Sequence, residues 1–264
     1  MLDRSIGIFD SGVGGLTVLK EIADLLPEEN LLYLGDTARV PYGTKSVETV
    51  QRYALEAAHF LVARGVKLLV VACNTASAVA LPLLRERFQL PVIGVIEPGA
   101  RRAAQSRNHR IGVIGTEGTI NSNRYPEAIH SLLPDAEISS VACPLFVPLA
   151  EEGWAEHEIA RLTAIEYLQP LLSANIDTLV LGCTHYPLLR NTLRQVLGDT
   201  VVLVDSAEET AKSVQQLFRE QDLSRPETGG RRTFFVTDVP ARFVRVGAAF
   251  LGQDLESVEQ IQIG

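Results

Sequence analysis

Two cysteines stand in matching local contexts. Cys73 lies in VVACNTASA and Cys183 in VLGCTHYPL. Each follows an apolar run of strand character. Each precedes small polar residues that suit a helix start, Asn74 and Thr75 in one case and Thr184 and His185 in the other. A sulfur at that position feels the positive end of a helix dipole, which lowers a thiol pKa from its usual value of about 8.5. Thiols so placed exchange protons near neutral pH. A free cysteine is also a common small packing residue, but two in the same context point to acid–base chemistry. Cys143, in VACPLF, has no comparable helix start and is assigned to packing.

Further segments carry groups that could assist. Residues 10–15 read DSGVGG, a glycine-rich loop after a strand. It is neither GxGxxG nor a P-loop, and Asp10 at its mouth would repel a phosphate. Asp10 suits an ammonium group, or serves as a helix cap. Residues 36–46 read DTARVPYGTKS, in which Pro41, Tyr42 and Gly43 have turn chemistry that aims backbone N–H groups at a small anion. The segment GTEGT supplies the hydroxyls of Thr116 and Thr119, and Glu151 follows the apolar segment PLFVPLA. A solvated helix start is the plainer account of Glu151 taken alone. Two other chemistries use the same residues. Cys73, Cys183 and His185 are three potential zinc ligands, but the tight pairs of ordinary zinc sites (CxxC, HExxH) are missing. Cys183 with His185 could form a thiol nucleophile pair, which leaves Cys73 without a task.

The elements that position these residues are readable as patterns. Strands are expected at Ile6–Phe9, Asn30–Leu34, Leu68–Ala72, Val92–Ile96, Arg110–Ile114, Ile138–Ala142, Thr178–Leu181 and Val201–Val204, with a last one at Arg232–Val236. Helical periodicity covers Val47–Arg64, His157–Ser173, Leu188–Leu197 and Pro240–Leu251, and the polar stretch Ser224–Arg231 reads as an exposed connection. Unalternated strands with helical crossovers indicate α/β architecture with parallel sheets covered on both faces. IGIFDSGVGG is echoed by IGVIGTEGTI, LLVVACNTAS by TLVLGCTHYP, and VIGVIEP by VVLVDS. The echoes keep their order at a spacing of about 105 to 110 residues, which suggests two pseudo-symmetric halves. Each half then places one cysteine at the C-terminal edge of an inner strand, where open α/β sheets bind ligands.

Bulk properties narrow the class. The 264 residues carry a net charge of −8, with 46% hydrophobic and 21% charged residues. No basic stripe marks a nucleic-acid binder. No apolar run is long enough for a membrane span, no secretory leader is evident, and three cysteines do not make a disulfide framework. A cytoplasmic protein without nucleic-acid or membrane partners is expected.

Together the motifs DSGVGG, PYGTKS, ACNTAS, GCTHYP and VPLAEEG resemble those of bacterial glutamate racemases, within the aspartate/glutamate racemase superfamily. The likeness runs from Ile6 to about Ser206, with a weaker match through TDVPARF and FLG. The resemblance implies interconversion of L- and D-glutamate with Cys73 and Cys183 as the two catalytic thiols. It implies that Asp10, His185 and Glu151 assist, with Glu152 as an alternative to Glu151 should the register shift by one. Substrate contacts are implied at Asp10, Ser11, Tyr42, Gly43, Asn74, Thr75, Thr184 and His185, and secondarily at Pro41, Thr116 and Thr119. It further implies two lobes around a cleft, residues 1–97 plus 207–264 forming one and 98–206 the other. No cofactor and no metal are implied, a homodimer is, and so is a role in supplying D-glutamate for peptidoglycan. A racemase for aspartate or a related acid, a non-catalytic small-acid receptor and a thiol hydrolase are the competing classes.

Overall fold

The computed structural model describes residues 2–255 and 257–264. The first part of the chain runs β1 (Ile6–Asp10), α1 (Leu16–Leu25), β2 (Leu31–Gly35), α2 (Val47–Ala63), β3 (Leu68–Val71), α3 (Asn74–Arg87), β4 (Val92–Gly94) and α4 (Ile96–Ala103). There follow β5 (Arg110–Gly115), α5 (Glu117–Asn121), α6 (Arg124–His130), β6 (Glu137–Ala142), α7 (Phe146–Glu151), α8 (Glu158–Ser173), β7 (Thr178–Gly182), α9 (Arg190–Leu197) and β8 (Val202–Asp205). The last part comprises α10 (Ser206–Gln221), β9 (Arg232–Val236), α11 (Pro240–Leu251) and β10 (Glu259–Gln260).

Strands β1, β3 and β7 are buried along their whole length, as unalternated apolar strands covered on both faces must be. Their side chains still alternate by face. Ile6, Ile8, Leu68 and Val70 join one apolar cluster, while Phe9, Leu69 and Val71 join another on the opposite side. The strands assemble into two parallel sheets, ordered β10-β9-β2-β1-β3-β4 and β6-β5-β7-β8. The run β2-β1-β3-β4 has the same order as β6-β5-β7-β8, so the echoed segments occupy equivalent places in two lobes. Register aligns the ends that matter: Phe9 pairs with Val71, Asp10 with Gly35, and Gly115 with Gly182. Helix α11 packs against α1 and Phe243 lies 5.8 Å from the Tyr33 ring, so the end of the chain returns to the first lobe. The core does not stop between lobes. One cluster contains Leu16 and Leu19 of α1, Leu179 and Leu181 of β7, and Val246 and Phe250 of α11.

Some boundaries differ from the sequence expectation. The strand expected over Val92–Ile96 ends at Gly94, because the Val95 backbone is already helical (φ −83°, ψ −15°) and caps α4. The helix expected from Leu188 starts at Arg190, preceded by a tight 3-10 turn at Tyr186–Leu189 that includes Pro187. Among the described residues no helix is long and apolar enough to cross a membrane.

Candidate active site

Both cysteines sit where an inner strand gives way to a helical turn. Cys73 follows β3 and is itself the cap of α3: its backbone is extended, and its sulfur accepts the Ala76 N–H at 3.5 Å. Ser11 Oγ lies 3.7 Å from the same sulfur. The helix start was expected to ease ionisation of this thiol, yet its pKa is pushed up to about 12. Burial is the first cause and the nearby Asp10 charge the second; the Ala76 amide and Ser11 offset them only in part. Desolvation of a fully buried ionisable group outweighs a single helix terminus. Cys73 is therefore a neutral thiol at neutral pH. Cys183 charge also raises it, which places the two sulfurs within electrostatic reach of one another.

Cys183 has different company. Its Sγ is 3.8 Å from His185 Nδ1, and His185 Nε2 is 3.1 Å from Glu151 Oε1 at the end of α7. With Nε2–H donating to the carboxylate, Nδ1 faces the sulfur. Burial disfavours a charged His185, but hydrogen bonds to Cys183 and Glu151 and the Cys183 and Asp10 charges outweigh it and raise its pKa to about 10. His185 is therefore charged at neutral pH, beside the Cys183 sulfur. Burial would raise Glu151, but His185 and Arg242 more than compensate and hold it below the usual carboxylate range. Glu152 is exposed beyond the end of α7, so Glu151 is the glutamate that reaches His185.

Of the remaining expected residues, Asp10 lies within electrostatic reach of both Cys73 and His185, and Tyr42 shares an apolar cluster with Cys73. Asp10 Oδ2 accepts the Gly12 N–H at 2.9 Å, while Oδ1 is buried with no hydrogen-bond partner among the described residues. Burial raises the Asp10 pKa, against the His185 charge and the amides of Gly12, Gly15 and Ser11. Asn74 accepts the Tyr125 hydroxyl at 2.7 Å on Oδ1, and its Nδ2 is likewise buried without a partner. An unpartnered carboxylate oxygen and an unpartnered amide N–H, both buried, are complementary to an ammonium and to a carboxylate. Thr75 meets Thr116 at 2.9 Å and Thr119 at 3.3 Å, joining α3 to α5 across the lobes. Gly43 packs on Thr116, where a Cβ would come within 2.7 Å of the threonine Cβ. Thr184 is buried, and its carbonyl accepts the Thr17 hydroxyl of α1 at 3.1 Å. Tyr42 is buried with its hydroxyl donating to Asp36, and Pro41 is exposed. Cys143 is buried with its thiol 3.7 Å from the Val141 carbonyl, and burial pushes its pKa upward.

Three contributors carry no local signal in the sequence. Tyr125 stands alone in α6 and matters only because α6 meets α3. Arg242, whose Nη2 donates to Glu151 Oε2 at 2.9 Å, and Phe250, edge-on to His185 with ring centroids 5.1 Å apart, fall in the weakly matching TDVPARF and FLG segments. A cavity of about 160 Å³ lies on this side of Glu151, bordered by Gly12, Val40, Asp238, Arg242 and Phe243. Among the described residues no group of three or more His, Cys, Asp or Glu side chains is arranged for a metal ion.

Comparison with known proteins identifies the family and its fold. The model of the family described as Asp/Glu/Hydantoin racemase matches residues 6–214. A glutamate racemase of Geobacter metallireducens is 60% identical, over 98% of this chain and 97% of its own. The crystal structure of a glutamate racemase isoform from Bacillus anthracis superposes with a TM-score of 0.96 at 41% identity, over 99% of this chain and 98% of that one. That of the Francisella tularensis enzyme, in complex with D-glutamate, gives 0.94 at 40% identity over the same shares. With matching sheets, matching lobes and this degree of identity along nearly its full length, the chain belongs to the Asp/Glu/hydantoin racemase family and is an isomerase of the glutamate racemase type.

Proposed function

We propose that the protein interconverts L- and D-glutamate by transfer of the α-proton between two thiols, without a cofactor, and so supplies D-glutamate for peptidoglycan. The observation that carries this reading is the pair Cys73 and Cys183. They lie at equivalent strand ends of two lobes, one held neutral and the other beside a protonated imidazole. Inversion at a carbon requires a base on one face and an acid on the other. In one direction the Cys183 sulfur takes the proton from Cα as the Cα–H bond breaks, and its electron pair moves into the carboxylate. Cys73 then gives its S–H proton to the opposite face. Reversal exchanges the roles. His185, held through Glu151, keeps a compensating charge beside Cys183 in both states.

The α-proton is a weak acid, so the site must favour the enolate-like intermediate strongly. Backbone amides near Ser11, Gly43, Thr75 and Thr184 and the Asn74 amide are the proposed donors to the substrate carboxylate, with Asp10 Oδ1 the acceptor for the ammonium. Enclosure between lobes excludes water and strengthens each of these contacts. The homodimer of the resemblance belongs to the same proposal, and analytical ultracentrifugation reads it directly.

Circular dichroism of L-glutamate with purified protein and no added cofactor tests the reading. Ellipticity should decay to zero, and aspartate and glutamine should remain unchanged. Cys73→Ala and Cys183→Ala should each abolish the decay, and full turnover by either variant would sink the two-thiol mechanism.

A further inference from the structure

Arg242 occupies the third position of α11, an element packed on the first lobe, yet it reaches a carboxylate of the second. Glu151 is held at both oxygens: Oε2 takes the Arg242 Nη2 hydrogen bond at 2.9 Å, and Oε1 faces His185 Nε2 at 3.1 Å. About two helical turns further along α11, Phe250 presses edge-on against the His185 ring with an interplanar angle of 84°. One helix therefore grips both members of the Glu151–His185 pair. The two grips hold the imidazole facing Cys183. Exposure distinguishes the partners: the Arg242 side chain is 55% exposed, those of Glu151 and His185 16% and 7%. An exposed cation of this kind contributes little to folding, so its value lies in what it holds.

We propose that Arg242 is a positioning residue for the racemisation reaction: by fixing Glu151 it aims His185 at Cys183 and couples the C-terminal helix to the thiol of the opposite lobe. This rests on the two-thiol reading above. The charged groups facing the relay are few. Glu151 meets His185 and Arg242; His185 meets Cys183, Glu151 and Asp10; Asp238 borders the same cavity as Arg242. Removing the cation makes Glu151 hold its proton to higher pH. It also leaves the Glu151 anion to attract the imidazolium undiluted, so His185 keeps its proton to higher pH as well. Both limbs of the activity profile move the same way.

The test compares Arg242→Gln and Arg242→Lys with the unmodified protein. Arg242→Gln should lower kcat about tenfold with little change in KM, since Arg242 acts through Glu151, and should displace the kcat/KM profile upward by about half a pH unit. Arg242→Lys keeps the cation and should restore the profile. The His185 ring resonance, followed by NMR titration without substrate, should move upward in Arg242→Gln by a similar amount. That titration reads the inference even if glutamate proves to be the wrong substrate, whereas failure of the unmodified protein to racemise glutamate overturns only the proposed reaction. An Arg242→Gln protein with an unmoved profile and an unmoved His185 titration refutes the positioning role, as does a Lys variant that shifts as far as the Gln variant.

Discussion

Tyr125 offers one hydroxyl to the site, and its effect is indirect. By donating to Asn74 Oδ1 it fixes which end of the amide is satisfied, leaving Nδ2 buried without a partner among the described residues. Tyr125→Phe should leave the Asn74 carbonyl unsatisfied and raise KM for glutamate about tenfold, the size expected for one lost buried hydrogen bond, as steady-state kinetics will read. His185 makes a second prediction, in stability. Its folded pKa of about 10 lies above the ordinary 6.5. A raised histidine pKa stabilises the fold fully below the unfolded value and loses that contribution as pH rises through the folded one. Tm should therefore decline between about pH 6.5 and 10, and the decline should be shallower in His185→Asn. The cysteines were legible as a pair because each residue's neighbours repeat. The ionisation of Cys73 was not, because burial is a property of the assembled lobes. That is why Cys73, placed at a helix start that favours thiolate, is instead a neutral thiol.

At the level of elements, Lys67 shows how a buried charge organises segments remote in sequence. It precedes β3, forms an ion pair with Glu29 at 2.6 Å, and donates to the carbonyls of Leu2 and Leu223. One ammonium thus ties the segment before β1, the turn before β2 and the segment after α10. Lys67→Met removes all three bonds and strands a buried carboxylate, which costs about 3–5 kcal/mol. Urea denaturation should show that loss, and Lys67→Met combined with Glu29→Gln should recover part of it. No sequence pattern around Lys67 forecasts this, since a single lysine at a strand start is ordinarily a solvated end. The inner strands, in contrast, were legible as unalternated apolar runs. The two-residue β10 was not, because so short a segment has no periodicity. The start of α4 was misread because Val95 and Ile96 have strand-like side chains while their backbone is already set by the helix cap.

Across the whole molecule, three weak echoes anticipated the two sheets because each pair falls at the same place in the same strand order. The contact between lobes could not be read in this way. It depends on absent side chains as much as on present ones. Gly14 sits where a Cβ would overlap the Thr184 hydroxyl and the His185 ring, so the bare backbone of one lobe lies directly on the thiol loop of the other. Gly14→Ala should push the lobes apart by a fraction of an ångström or more. A misplacement of this order costs about a hundredfold in rate, so kcat/KM should fall that far while the far-ultraviolet circular dichroism spectrum stays native. The placement of β9 has a consequence in time rather than space. The second sheet is drawn from one uninterrupted stretch, residues 110–205, whereas β2 gains its outer neighbour only when residues 232–236 arrive. During synthesis the second lobe is ready to fold before the first is covered, and α11, which holds Glu151 and His185, emerges after both sulfurs have been made. A nascent chain therefore carries both thiols before it has the helix that grips Glu151 and His185, and that grip forms only once residues 240–251 have been made.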